Sequence, residues 1–431
     1  MDIHSPDNII SSDWLTKISV AIWIGILFLL GTYFRIRPQD ASPDLDWLVL
    51  AQVLACMAGG IFGLLLIKRS SPPGLGGKML LVYIIAVGVS VIFSPYKKMA
   101  FGYWILLLGT ALLTMGLVQQ ARTIKSLWQV EKAWLFTVAI ISIKDTITSL
   151  FFVDNSSIEN MVGGPFRLGM GVTHANDMSL MAAIGFWLTF RKDEMESSFL
   201  LWLLRILFLL VIAMARTRSS MISIVMAGLV WFWFKKGFQE KISSNLRIAM
   251  PNIIAAFIIF GILLLSFHLP GIDDAFSYFN RNEDSTALLS ISGRTEIWHY
   301  ALERIVDTPY TILFGHGYGV SRFVLNGNAG SSSFYAYHAH NTFLEILLAI
   351  GLLGLIPFIL LALYNFKWLT AFHQLRHDFS SEFALRAISV FIMLSMSSIT
   401  EAYLVTKMHP IAMISIFYLL SLDRRYHLAK L

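Results

Sequence analysis

Between Ser292 and Glu345 an otherwise apolar sequence turns polar and gathers the side chains of acid–base and anion chemistry. His338 and His340 lie just before a long hydrophobic run, and imidazole accepts a proton near neutral pH, as a general base activating a sugar hydroxyl must. Asn341 could position a substrate, and Glu345, about one turn on, could orient a histidine or pair with an arginine. Arg294 opens the run Ser292-Gly293-Arg294-Thr295-Glu296-Ile297-Trp298. At a helix start its charge opposes the helix dipole unless an anion lies close, either a bound phosphate or a side chain such as Glu296 or Asp307. Arg216 and Arg218 flank Thr217 between two apolar runs. Guanidinium is permanently charged and grips phosphate oxygens in a forked geometry, which suits a lipid diphosphate, although arginines at such a boundary also snorkel to headgroups. A His-x-His with one distant carboxylate offers too few ligands for a metal, so none is expected.

Other polar points surround this set. Arg167, among Gly163, Gly164, Gly169 and Gly171, leads into His174-Ala175-Asn176-Asp177, read as a flexible outer loop lining the same cavity. Lys144, Asp145, Arg205 and Glu401 lie within or beside apolar runs, as structural pairs or as parts of a substrate path. Gly315-x-Gly317-x-Gly319 lacks the strand, helix and Lys-Ser/Thr context of a nucleotide loop, which argues against ATP and NAD. Phe334, Tyr335 and Tyr337 could stack on sugar rings.

The elements that must position these residues are membrane helices. The 431 residues are 56% hydrophobic and 14% charged, with a mean hydropathy of +0.66, which excludes an ordinary soluble domain. Apolar runs approach the length a helix needs to cross about 30 Å of hydrocarbon, and they lack the short alternating segments of a β-barrel. Candidate spans are 17–34, 47–67, 79–95, 99–119, 133–152, 174–190, 198–215, 219–236, 247–267, 341–364, 383–402 and 408–422, or about twelve helices. The net charge of +6 is explained by orientation signals, so no nucleic-acid partner is expected. The lone cysteine, Cys56, excludes an intrachain disulfide. The N-terminus has no basic segment before the first run, which reads as a retained helix. With the N-terminus cytoplasmic, the larger share of Lys and Arg falls on inner loops, and a long loop over 268–340 faces the periplasm. From Ser292, the residues Ile297, Trp298, Ala301, Leu302, Ile305 and Val306 recur at helical spacing up to Pro309, an amphipathic helix on the membrane face. Residues 320–337 read as mobile. The whole, 1–431, is one membrane domain.

Arg-Ser-Ser at 218–220, Ser-Gly-Arg-Thr-Glu-Ile-Trp at 292–298, Gly-His-Gly-Tyr-Gly at 315–319, and His340-Asn341 followed by Gly351 and Gly354 together resemble the O-antigen ligase and polymerase superfamily of bacterial inner-membrane glycosyltransferases. The resemblance implies an all-α, GT-C-like polytopic fold and an active site facing the periplasm. It further implies metal-independent, inverting transfer from an undecaprenyl-diphosphate-linked glycan, with no nucleotide and no cofactor. Arg218 and Arg294 would hold the donor diphosphate and His340 would activate the acceptor hydroxyl. Arg216 competes with Arg218 for its position, and His338 with His340. The acceptor is another glycan in the polymerase branch, favoured here, and lipid A-core in the ligase branch. A lipid-linked glycan transporter using Lys144, Asp145, Arg205 and Glu401 is the alternative of another class.

Overall fold

In the computed structural model of the chain, the described residues are 14–32, 47–70, 72–121, 124–151, 175–190, 198–215, 217–239, 294–326, 336, 338–371, 380–402 and 409–428. Every regular element among them is a helix. In chain order these are α1 (Trp14–Thr32), α2 (Trp47–Lys68), α3 (Leu75–Phe93), α4 (Lys97–Gln120), α5 (Ile124–Phe151), α6 (Ala175–Leu188), α7 (Ser198–Ala215), α8 (Arg218–Gln239), α9 (Arg294–Ile305), α10 (Pro309–Phe314), α11 (Ser321–Asn326), α12 (Thr342–Ala371), α13 (Ser380–Thr400) and α14 (Pro410–Leu428).

Six of them, at Trp14–Gly31, Val49–Lys68, Leu75–Phe93, Lys97–Gln120, Thr342–Lys367 and Glu382–Thr400, are long and apolar enough to cross a membrane. Three shorter apolar helices, at Phe199–Ala215, Ser219–Trp231 and Pro410–Leu422, accompany them. The expectation of about twelve spans thus meets six clear ones among the described residues, and the expected span at 247–267 lies outside those residues. The stretch expected to span at 174–190 is α6, about 21 Å long at 1.5 Å per residue. Almost every one of its side chains is buried, so it is an inner helix of the bundle. Its first turn includes Asn176 and Asp177, which corrects the reading of those residues as a flexible loop.

Small residues set the closest packing. A Cβ on Gly109 of α4 would lie 2.0 Å from the Cys56 carbonyl oxygen of α2, and one on Gly63 of α2 would lie 2.4 Å from the Leu112 carbonyl carbon. Glycine lets these two backbones touch, and where lipid is as apolar as the side chains, that close contact is what holds helices together. One polar lock stands out on the inner face of α13. Arg386 donates from Nε and Nη2 to the two oxygens of Glu131 on α5, at 2.7 and 2.9 Å, and the Tyr418 hydroxyl of α14 donates to the same carboxylate. All three side chains are fully buried, so one ion pair fixes the register of three helices.

The glycine-rich motif at 315–319 has a structural purpose. α12 is broken at Gly351, whose φ of 68° is left-handed. At the break the Leu348 and Ala349 carbonyls accept from the His316 and Gly317 amides, at 2.9 and 2.8 Å. Gly315 is also left-handed, at φ 67°, and a Cβ there would meet the Ala349 carbonyl carbon at 2.4 Å. A Cβ on Gly351 would in turn meet the Leu313 carbonyl carbon at 2.4 Å. The loop therefore repairs the hydrogen bonding of an interrupted membrane helix, as backbone at membrane depth requires.

Candidate active site

The short segment between α11 and α12 carries His338 and His340, and its conformation is costly. His340 has φ 49°, left-handed for a residue other than glycine. Three hydrogen bonds on the segment itself hold it. The Ala339 amide donates to Glu345 Oε2 at 2.8 Å, the Ala339 carbonyl accepts from Trp298 Nε1 of α9 at 2.9 Å, and the His340 amide donates to His338 Nδ1 at 3.0 Å. Asn341 caps α12, its Oδ1 accepting from the Phe343 and Leu344 amides, while its Nδ2 donates to the Ile399 carbonyl of α13. Both ends of the Asn341 amide are thus engaged in scaffold. Glu345, fully buried, holds the loop backbone with Oε2 and accepts from Ser321 of α11 with Oε1. It fixes the loop that carries the histidines, where a direct contact to a histidine or arginine side chain was expected.

The carboxylate that meets the imidazole is Glu401, just past the end of α13. His340 Nδ1 lies 3.2 Å from Glu401 Oε2 and His338 Nε2 lies 3.7 Å from the same oxygen. Arg294, the first residue of α9, donates from Nη2 to Glu401 Oε1 at 2.9 Å, and Asn176 of α6 donates to that oxygen as well. The Glu401 carbonyl accepts from Thr342 at 2.9 Å, which ties the end of α13 to the start of α12. Glu401 is 1% exposed. Burial alone would push its carboxyl up, but the facing His340, His338 and Arg294 outweigh this and hold it below the usual carboxylate range. The anion that offsets the Arg294 charge at its helix start is therefore Glu401, and neither Glu296 nor Asp307 takes that place.

This geometry orders the protons. An ionised Glu401 facing His340 Nδ1 keeps the imidazole proton on that nitrogen and leaves the Nε2 lone pair available as a base. His338 Nδ1 accepts from a backbone amide, so a neutral His338 carries its proton on Nε2, the atom turned toward Glu401. His338, His340 and Glu401 present ligand atoms within 4.8 Å of one another. The proton on His338 Nε2, together with the Arg294 guanidinium on the same carboxylate, makes this trio a poor fit for a cation.

The comparisons with known proteins bear on this cluster. Residues 203–359 match the family described as O-Antigen ligase. Over this segment the chain is similar to the O-antigen ligase and polymerase superfamily. No curated protein matches the chain at a significant level. The ligase-family segment includes Arg218, Arg294, His338, His340, Asn341 and Glu345, and it supports a ligase- or polymerase-type enzyme of polysaccharide assembly in a multi-pass membrane protein.

Of the residues expected at the ligase-family site, the structure brings together Arg294, His338 and His340 and sets Asn341 and Glu345 as their supports. Arg218 is the first residue of α8, with its side chain outside what is described, and Arg167, His174 and Arg216 lie wholly outside the described residues. Sequence reasoning missed Glu401 as the centre of the site and placed it among the intramembrane charges. Asn176, read only as part of a neighbouring loop, contributes its amide directly. Asp177, next to it, faces His409 at 3.5 Å. The reading of 320–337 as mobile is corrected over Ser321–Asn326, where α11 is pinned through Ser321 to Glu345 and through Asn326 to both main-chain groups of Ala336.

Proposed function

We propose that this protein is a glycosyltransferase that moves a glycan from undecaprenyl diphosphate to a sugar hydroxyl at the periplasmic face of the bacterial inner membrane, polymerising O-antigen or exopolysaccharide repeat units. The observation that carries this reading is the contact of His340 Nδ1 with a buried Glu401 that also holds Arg294. An imidazole and a guanidinium on one carboxylate support the reading, because departure of a diphosphate needs a base and a cation side by side.

In the proposed reaction the acceptor hydroxyl gives its proton to His340 Nε2 as its oxygen attacks the anomeric carbon from the face opposite the diphosphate. The bond from the anomeric carbon to the phosphate oxygen breaks, the diphosphate leaves with the electron pair, and the configuration inverts. Arg294 engages Glu401 through Nη2, so its remaining N–H groups can meet the phosphate oxygens, with Arg218 opening α8 as the second cation. Glu401 holds the charge of the imidazolium that forms. The step is metal-independent, since charge on the leaving group is met by guanidinium. The transporter alternative gains no support, because its charges are divided among separate contacts. Lys144 lies 3.4 Å from Asp145, Arg205 donates to Thr189 at the end of α6, and Glu401 joins the cluster above.

The test is product sizing with purified protein in lipid, a lipid-diphosphate-linked repeat unit, and lipid A-core present or absent. A ladder of products without lipid A-core is expected. Glycan attached only when lipid A-core is supplied would move the assignment to the ligase branch, and intact donor in both cases would contradict glycan transfer.

A further inference from the structure

Arg386, Arg205 and Arg322 each turn the Nε and Nη2 edge, the side of guanidinium that takes an oxyanion with two parallel bonds, into buried or half-buried surroundings. In Arg386 that edge is filled by the Glu131 carboxylate, and in Arg205 by the hydroxyl and carbonyl oxygens of Thr189. In Arg322 both atoms of the edge are shielded from solvent, and neither has a hydrogen-bond partner among the described residues. Its guanidinium carbon lies 4.5 Å from the centre of the Phe323 ring, which fixes the plane of the fork without satisfying its donors. Phe323 is held in turn by Tyr96, ring centres 5.1 Å apart. A half-buried cation with two shielded, unsatisfied donors is costly, and an oxyanion would satisfy both donors.

The position of Arg322 gives the fork meaning. Its neighbour Ser321 donates to Glu345, whose other oxygen holds the Ala339 amide beside His340. Arg322 is thus attached to the loop of the base through α11, while Arg294 reaches the same loop through Glu401. We propose that Arg322 is a second oxyanion site, separate from the Arg294 and Glu401 cluster, which takes a phosphate or carboxylate group beside the His340 loop. Two sources share this chemistry: an anionic lipid headgroup, and an anionic substituent on the acceptor sugar. Only the second rests on the transferase reading.

The experiment uses the full-length protein in nanodiscs of phosphatidylcholine, with thermal unfolding followed while inorganic phosphate replaces chloride at constant ionic strength. The unfolding temperature is expected to rise by about 2 °C or more at saturating phosphate. The rise should fall in Arg322→Gln and fall less in Arg322→Lys, and the part that depends on Arg322 should persist in an Arg294→Gln background. If Arg322→Gln fails to fold, the comparison of Arg322→Lys with the native protein carries the test, through a weaker phosphate response. Nanodiscs containing phosphatidylglycerol, and glucose 6-phosphate added to neutral nanodiscs, separate the sources, because the one that raises the unfolding temperature through Arg322 is the one bound. An equal phosphate response with and without Arg322, or no response to any of the three anions, would overturn the site. This readout involves no glycan transfer, so it fails or succeeds independently of the transferase reading. Where the sugar is the source, Arg322→Gln should also raise KM for an anionic acceptor about tenfold while KM for the donor stays unchanged.

Discussion

At the scale of single residues, Glu401 decides what His340 can be. A carboxylate that accepts from Nδ1 sets the tautomer and holds the imidazolium that forms, so Glu401→Gln is expected to lower kcat about tenfold to a hundredfold while the protein still inserts and folds. The same substitution has a signature in stability. Because the folded carboxyl sits below its ordinary range, the unfolded chain takes up a proton first as the pH falls. The stability Glu401 contributes is present above the ordinary carboxylate range and is lost as the pH drops through it toward the lower folded value. Melting curves between about pH 5 and 3 should therefore fall for the native protein and flatten for Glu401→Gln. Arg294 and His340 were legible in the sequence, because arginine at a helix start and histidine before an apolar run are exposed by their immediate neighbours. Glu401 was not, because its partner Arg294 is 107 positions away and a carboxylate at the end of an apolar helix looks the same whether it pairs structurally or serves a site. Asn341 was legible as important but not in its role, since a side chain that caps a helix and one that meets a substrate occupy the same place in the chain.

At the scale of elements, the site depends on one break and one lock. α12 is interrupted at Gly351 and the 315–319 loop fills the gap, so a side chain on either side has nowhere to go. Gly351→Ala and Gly315→Ala should each cost about 1–3 kcal/mol from the left-handed backbone alone, with more from the contact to carbonyl carbon at 2.4 Å. Thermal unfolding in detergent checks this, and a loss of activity should accompany it, because the α12 start carries Asn341 and Glu345. The lock is Glu131 with Arg386, about 22 Å along α13 from Glu401 at 1.5 Å per residue. Arg386→Met alone should cost about 3–5 kcal/mol by leaving Glu131 buried and unpaired, and Glu131→Leu in the same chain should restore much of it. A double-mutant cycle on unfolding measures the coupling. The glycine pattern at 315–319 could be separated from a nucleotide loop by its context, but its service to α12 could not be seen, since that depends on where Gly351 bends the chain.

At the scale of the whole molecule, the helical membrane fold follows from composition and run length, and the structure has that character throughout the described residues. What hydropathy could not provide is the distinction between a helix that crosses lipid and one that is buried among others. α6 is apolar because it is surrounded by protein, and α5, which carries Glu131, Lys132, Lys144 and Asp145, is long but interrupted by charge. Four elements distant in sequence, α6, α9, α12 and α13, converge on Glu401, and that convergence sets an imidazole and a guanidinium together just past the end of a membrane-length helix. The measurement that bears on it most directly is glycan transfer by reconstituted protein from a lipid-diphosphate-linked repeat unit, comparing the native chain with His340→Ala and Arg294→Ala. The native chain should form product, and each variant should fold normally and lose about a hundredfold or more of the rate. Normal product from both folded variants would contradict the assignment of the site.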